Sequence, residues 1–383
     1  MPGLLSDVDP EGLLEFSVVY SDRSLNHMSK SFRGVMNDIS DTLKRIYHAH
    51  NVAIVPGGGT FAMEAVARQF ATGKDCLVIR NGWFSYRWSQ ILDVGSIPSS
   101  TTVLKARPVS DEQNAPFIPP PIEEVVATIE TKEPVVVFAP HVETSAGMVL
   151  PDDYLEAVAA ATHRVGGLFV LDCIASGALW IDMQKIGVDV LISAPQKGWS
   201  GSPGAGLVML SELAVQRLGE TTSTSFSCDL KKWLQVMHAY EGGGHTYHTT
   251  MPTDALIRFR DVMKELESCG LEQVDQSQRE LGSQVRASLE SSGFPSVAAE
   301  GFQAPTVVVC YTDDPEIKNG AKFAKTGIQI AGGVPLACDE PENFMTFRIG
   351  LFGIDKLQNV DRTVKSFVDA LNNLPTKRVS AGP

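Results

Sequence analysis

The 383-residue sequence has no CxxC pair, no internal repeat, no excess of basic charge and no apolar run near the roughly 20 residues that a bilayer-spanning helix needs. Each absence excludes something. Six cysteines (Cys76, Cys173, Cys228, Cys269, Cys310 and Cys338) are scattered without metal-ligand spacing. Neither a zinc site nor a disulfide framework is indicated, and reduced thiols in a cytoplasmic protein are the simplest reading. His141, His245 and His248 match no metal pattern either and read as structural or supporting groups. With 32 Lys+Arg against 45 Asp+Glu, the net charge is −13. That balance argues against nucleic acid or an anionic membrane as partner, so an anionic ligand has to be held by local groups. The first residues, "MPGLLSDVDPEGLLEF", are acidic and broken by Pro and Gly, and read as neither a signal nor a transit peptide.

What is present is alternation. Short apolar runs bounded by turn residues ("NVAIVP", "DCLVIRNG", "TTVLK", "PVVVFAP", "GLFVLD", "VDVLIS", "AGLVML") predict buried strands. Between several of them stand helical segments such as "FAMEAVARQFA", "PIEEVVATIET" and "DDYLEAVAAATHRVG". This predicts an α/β fold with a mostly parallel sheet covered by helices on both faces. Ligands of such sheets bind beyond the carboxyl ends of the strands. After "HTTMPTD" the texture changes to a long helical stretch around 253–295, then "APTVVVCYT", a helix near 317–326, "MTFRIGLFG" and a last helix to about Leu374. The expected division is an N-terminal arm (1–25), a large domain (26–268), a smaller α+β domain (269–375) and a frayed tail (376–383). The Pro-rich "NAPFIPPPIEE" reads as a surface connection.

The first chemical signal is "NVAIVPGGGTFAMEAVARQF", an apolar strand that turns through Gly57, Gly58 and Gly59 into a helix. Such a turn aims free N–H groups and the positive end of the helix dipole at one point, a cradle for a phosphate. As G-x-G-x-x-A it also fits a dinucleotide fingerprint. However, the next strand ends "LVIRNG" without the acid that would hold an NAD ribose. A second signal decides the matter. Asp172 ends one predicted strand, and Lys197, 25 residues on, follows the next. A carboxylate, an amine and a phosphate cradle at one sheet edge suit pyridoxal 5′-phosphate. The amine bonds its aldehyde, the acid pairs with its ring nitrogen, and the cradle holds its phosphate.

The motifs "GGGTFAMEA", "NGWFSYR", "HVETSAGMVLP", "LDCIASG", "SAPQKGWSGSPGAGL", "YHTTMP" and "FRIGLFG" follow one another as they do in the class V aminotransferases of pyridoxal-phosphate fold type I. The chain resembles the alanine–glyoxylate/serine–pyruvate branch of that family from about His27 to Leu374. The resemblance implies a large domain with a mostly parallel sheet and a smaller C-terminal α+β domain. It implies Lys197 as the Schiff-base lysine, Asp172 as partner of the ring nitrogen, Ile174 on one ring face and Phe84 on the other, and Ser145 near the ring's 3-oxygen. Gln196 would hold the phosphate together with Gly58, Gly59 and Thr60. Tyr247 and Thr250 match positions that reach the phosphate from a neighbouring subunit, which implies a homodimer with composite sites. Arg348 matches the clamp for the substrate α-carboxylate, a task for which a planar bidentate fork is suited.

The sequence departs from the family pattern at Pro195, where a small residue is usual, and at Phe84, often a tryptophan. It departs more widely at "LEFSVVYSDRSLNHMS", which replaces the family's "GPGP"-like opening. The expected activity is transamination between an alanine- or serine-like amino acid and a glyoxylate- or pyruvate-like 2-oxo acid. The alternatives are a 2-aminoethylphosphonate–pyruvate transaminase, or a cysteine desulfurase using Cys338 as its mobile nucleophile.

Overall fold

The computed structural model describes Val8, Asp9 and residues 13–374; the expected tail and the start of the N-terminal arm lie outside the described residues. A seven-stranded sheet organises the chain. From one edge its strands run Asn51–Pro56, Ala205–Leu210, Val190–Ser193, Leu168–Asp172, Val136–Pro140, Asp75–Arg80 and Ser100–Lys105. Only Ala205–Leu210 opposes its neighbours; the strands from Val190–Ser193 to Ser100–Lys105 pair in parallel. The mostly parallel α/β architecture expected from the apolar runs is therefore present. Its cause is visible in the burial: Val136–Pro140, Leu168–Asp172 and Ala205–Leu210 are buried at every position. A strand covered on both faces has no solvent side on which to alternate polar residues.

The helices Gly59–Phe70, Trp83–Val94, Ile122–Lys132 and Asp152–Arg164 connect the strands. A three-stranded antiparallel sheet, in the order Val307–Tyr311, Thr346–Gly350, Ala331–Gly332, forms further along the chain, and its Val307, Val309 and Tyr311 share a second, smaller apolar cluster with Phe117, Val142 and Met148.

Two expectations change in detail. The helical stretch from 253 breaks into Thr253–Cys269 and Leu271–Ser291 at Gly270, whose φ of 82° lies in the left-handed region that glycine enters without steric cost. The Pro-rich connection is not a surface strap. Phe117 is buried in the second cluster, donates its N–H to Val297 and accepts that of Ala299. A lone aromatic among prolines carried no periodicity from which this docking could be read.

Candidate active site

The parallel strands bring their carboxyl ends to one edge, and most of the predicted residues, though not Tyr247 and Thr250, gather there. Pro56 leads into Gly57, and the helix Gly59–Phe70 starts with no side-chain cap. The oxygen of Gly58 takes the N–H groups of Phe61 and Ala62. The first-turn N–H groups before them are those that every helix leaves for an outside acceptor. At Gly59 a Cβ would lie 2.5 Å from Ile174 Cδ1, whereas at Gly58 a Cβ would meet nothing within 4 Å. The cradle is thus closed on the Ile174 side and open at Gly58. Thr60 is exposed, and its hydroxyl accepts from Arg87 Nη1 at 3.1 Å.

Asp172 is buried, and its Oδ1 accepts the N–H of Ile174 at 2.9 Å. Burial raises its pKa to about 7; the Ile174 N–H opposes the rise, Glu143 adds to it and Arg87 opposes it. An acid so placed favours a cationic partner. Lys197 stands in a tight loop closed by Gly201 N–H to Pro195 O (2.8 Å) and Ser200 N–H to Lys197 O (3.0 Å). The loop passes so near the turn at Gly177 that a Cβ on Gly198 would lie 2.0 Å from Gly177 O. The Lys197 amine faces the Phe352 ring, 5.2 Å from its centroid. Burial first, then the positive charges of Arg348 and Arg87, hold its pKa below the usual lysine range. Gln196 beside it is exposed.

Arg348 is half-buried on the strand Thr346–Gly350, with Nε bonded to Gly332 O at 2.8 Å. Its guanidinium and that of Arg87 each lie 5.4 Å from the centroid of Phe84. The acids near it in sequence do not compete for it: Glu340 is occupied by the N–H groups of Leu336, Ala337 and Cys338. Tyr247 and Thr250 share a hydrogen bond of 3.2 Å on an exposed segment, with His27 5.5 Å from the Tyr247 ring. Their described contacts are with one another and with the aromatic groups nearby, not with Lys197 or the glycine turn.

Sequence reasoning missed Glu143. It is fully buried and accepts from Phe84 N (3.2 Å), Ser85 N (2.8 Å), Ser85 Oγ (2.7 Å), Ser145 N (3.0 Å) and Ser145 Oγ (2.7 Å). Ser145 Oγ in turn accepts the N–H of Trp83 at 2.9 Å. The pair caps the helix Trp83–Val94 and so fixes Phe84; a negative group at a helix N-terminus is favoured by the dipole as well. Replacing Glu143 with Ala strands several buried donors at once. We expect a loss of roughly 3 kcal/mol or more in urea unfolding; a change near zero would show that water replaces the carboxylate without cost.

Cys338 does not fit the desulfurase alternative. It is buried, its Sγ–H is directed at Arg80 O (3.3 Å), and burial pushes its pKa up to about 12. A mobile thiolate nucleophile is exposed and of low pKa.

The residues therefore offer a carboxylate held for a cationic ring nitrogen, an amine of lowered basicity and an uncapped helix start at one sheet edge. This donor set fits pyridoxal 5′-phosphate, and the fold is that of pyridoxal-phosphate enzymes of type I. The family described as "Aminotransferase class-V" matches residues 14–362, so the chain belongs to the class V aminotransferases, which are pyridoxal-phosphate-dependent enzymes. It is 26% identical to an alanine–glyoxylate aminotransferase of Callithrix jacchus over 93% of this chain and 84% of the relative. To a 2-aminoethylphosphonate–pyruvate transaminase of Pseudomonas aeruginosa it is 28% identical, over 85% of this chain and 84% of the relative. The crystal structure of an alanine–glyoxylate aminotransferase from Nostoc sp. superposes with a TM-score of 0.76 at 23% identity, covering 91% of this chain and 88% of that one, a likeness of fold.

Proposed function

We propose that this aminotransferase moves the amino group of an alanine- or serine-like amino acid to a glyoxylate- or pyruvate-like 2-oxo acid, in two half-reactions at one site. The observation that carries this is the Lys197 amine, depressed in basicity and set at the same sheet edge as Asp172, with Arg348 near enough to act on its charge. When bound, pyridoxal 5′-phosphate supplies an aldehyde for the amino group and a protonated ring that draws electrons from the substrate α-carbon. Gly58, Gly59, Thr60 and Gln196 would hold its phosphate, Asp172 would keep the proton on its ring nitrogen, Phe84 and Ile174 would flank the ring, and Ser145 would lie near its 3-oxygen. Arg348 would bind the substrate carboxylate. The Lys197 amine would take the proton from the α-carbon as general base, a role that suits an amine of lowered pKa.

The proposed assembly is a homodimer in which Tyr247 and Thr250 complete the partner's cradle. Support comes from apolar side chains that water would otherwise meet. Leu13, Leu14, Phe16 and Val18, close together in one segment, are almost fully exposed, and Phe226, Phe61 and Tyr247 are more than half exposed. We further divide the chain into a large domain to residue 268 and a small one from 269, on the strength of the separate second sheet. Six free cysteines suit a cytoplasmic setting.

The test is a donor panel. Cofactor-loaded protein is mixed, without oxo acid, with alanine, serine, glycine, aspartate and 2-aminoethylphosphonate, and the cofactor absorbance is followed. Alanine or serine should convert the spectrum to that of the aminated cofactor, and adding glyoxylate or pyruvate should restore it. Conversion by 2-aminoethylphosphonate with no response to alanine or serine would replace this reading by the phosphonate one, which the 28% identical relative favours.

A further inference from the structure

A phosphate monoester carries a charge of about −1.5 to −2 near neutral pH, while a helix N-terminus offers only about half a positive charge. In a chain of net charge −13 the balance has to come from a nearby cation. Gly58, Gly59, Thr60 and Gln196 are all neutral. Lys197 is committed to the cofactor's aldehyde and Arg348 to the substrate carboxylate. One cation remains. Arg87, half-buried on the helix Trp83–Val94, reaches across to the start of the glycine-turn helix and donates from Nη1 to Thr60 Oγ1 at 3.1 Å. Its guanidinium lies 5.4 Å from the Phe84 centroid, which keeps it beside the ring that would flank the cofactor. Its described bonds include no ion pair with a carboxylate, unlike those of Arg68 on the neighbouring helix, which is paired with Glu64.

We propose that Arg87 is the cationic ligand of the cofactor phosphate, with Thr60 as its orienting partner; this rests on the pyridoxal-phosphate reading of the site. A hydroxyl has one proton to give and two lone pairs. By accepting from Arg87, the Thr60 hydroxyl is left free to donate to a phosphate oxygen. Arginine and hydroxyl thus present three or more donors side by side, in the fork geometry that suits phosphate. The same charge acts on the other two key groups, favouring the ionised form of Asp172 and the neutral form of Lys197. Arg87 is thereby a positioning residue for the whole cofactor rather than a group that touches the reacting carbon.

The experiment compares two ligands that differ only in the phosphate. The full chain, freed of cofactor by dialysis, is titrated with pyridoxal 5′-phosphate and with pyridoxal by equilibrium dialysis. Wild-type protein should bind the phosphorylated form far more tightly. Arg87→Gln should weaken that binding about 10- to 100-fold and leave pyridoxal within about twofold, with Arg87→Lys falling between. Inorganic phosphate should compete with the cofactor in the wild type and much less in Arg87→Gln. If Arg87→Gln keeps the wild-type preference for the phosphorylated ligand, the proposal is wrong even though the cofactor reading stands. Equal weakening of both ligands would make Arg87 a structural residue and overturn it too. If wild-type protein binds neither ligand, the cofactor reading itself fails, a separate outcome.

Discussion

Replacing Lys197 with Ala should lower turnover by about 10⁴-fold or more and remove the absorbance band of the lysine-bound cofactor. Two functions would go together, since on the proposed reading the same amine anchors the cofactor and moves the substrate proton. The informative companion is Lys197→Arg. It preserves positive charge and length, but a guanidinium does not give up its proton at any working pH. Were Lys197 a structural cation packed on Phe352, Arg would restore most of the activity; as a base and covalent anchor, it restores none. Cofactor binding without the covalent bond should persist in both variants through the glycine turn and Asp172, so dialysis separates loss of chemistry from loss of the site. The pH profile supplies a further check. Burial and the charges of Arg348 and Arg87 lower the lysine pKa. The alkaline-rising limb that reports a free amine should therefore fall below the pH of an ordinary lysine, and move upward in Arg87→Gln. Retention of both turnover and the band in Lys197→Ala would refute the assignment.

The parts of this site that were legible in the sequence share a physical cause. Asp172 ends one strand buried on both faces and Lys197 stands in the loop after another, and such strands leave apolar runs whose ends can be counted. The glycine turn is legible for a similar reason, because a side chain at Gly59 would collide with Ile174, so the close approach is written as a missing Cβ. Glu143 and Arg87 were not legible. Glu143 finds its partners Phe84 and Ser85 at 59 and 58 residues' distance, and nothing local distinguishes a buried acid from a solvated one. The available clue was negative: the helix that starts at Trp83 has no acidic residue in its first turn and needs a cap from elsewhere. Arg87 lies on a helix, where an arginine ordinarily reads as surface. Phe352 was hidden inside a motif quoted for its neighbour Arg348. The break at Gly270 was hidden too, because helical periodicity resumes immediately on its far side.

Asp172→Asn should move stability and catalysis in opposite directions. In an unfolded chain the acid loses its proton near pH 4. In the folded, cofactor-free protein burial holds that proton to about pH 7. Between those values the folded state binds more protons than the unfolded one, so stability present below pH 4 is lost as pH rises to about 7, a cost on the order of 4 kcal/mol by pH 8. An amide has no such cost, and its oxygen can still accept the Ile174 N–H that Oδ1 now holds. Cofactor-free Asp172→Asn should therefore resist urea better than wild type at pH 8 and match it near pH 4. With cofactor present the order should reverse in function: on the proposed reading a neutral amide would not favour a proton on the ring nitrogen, and kcat should fall roughly 10²–10³-fold, with weaker cofactor retention. A buried acid that costs stability when ionised is offset if a cation meets it. A variant less stable than wild type at pH 8 would mean that the charge is already satisfied within the protein, and the case for Asp172 as the ring-nitrogen partner would fall.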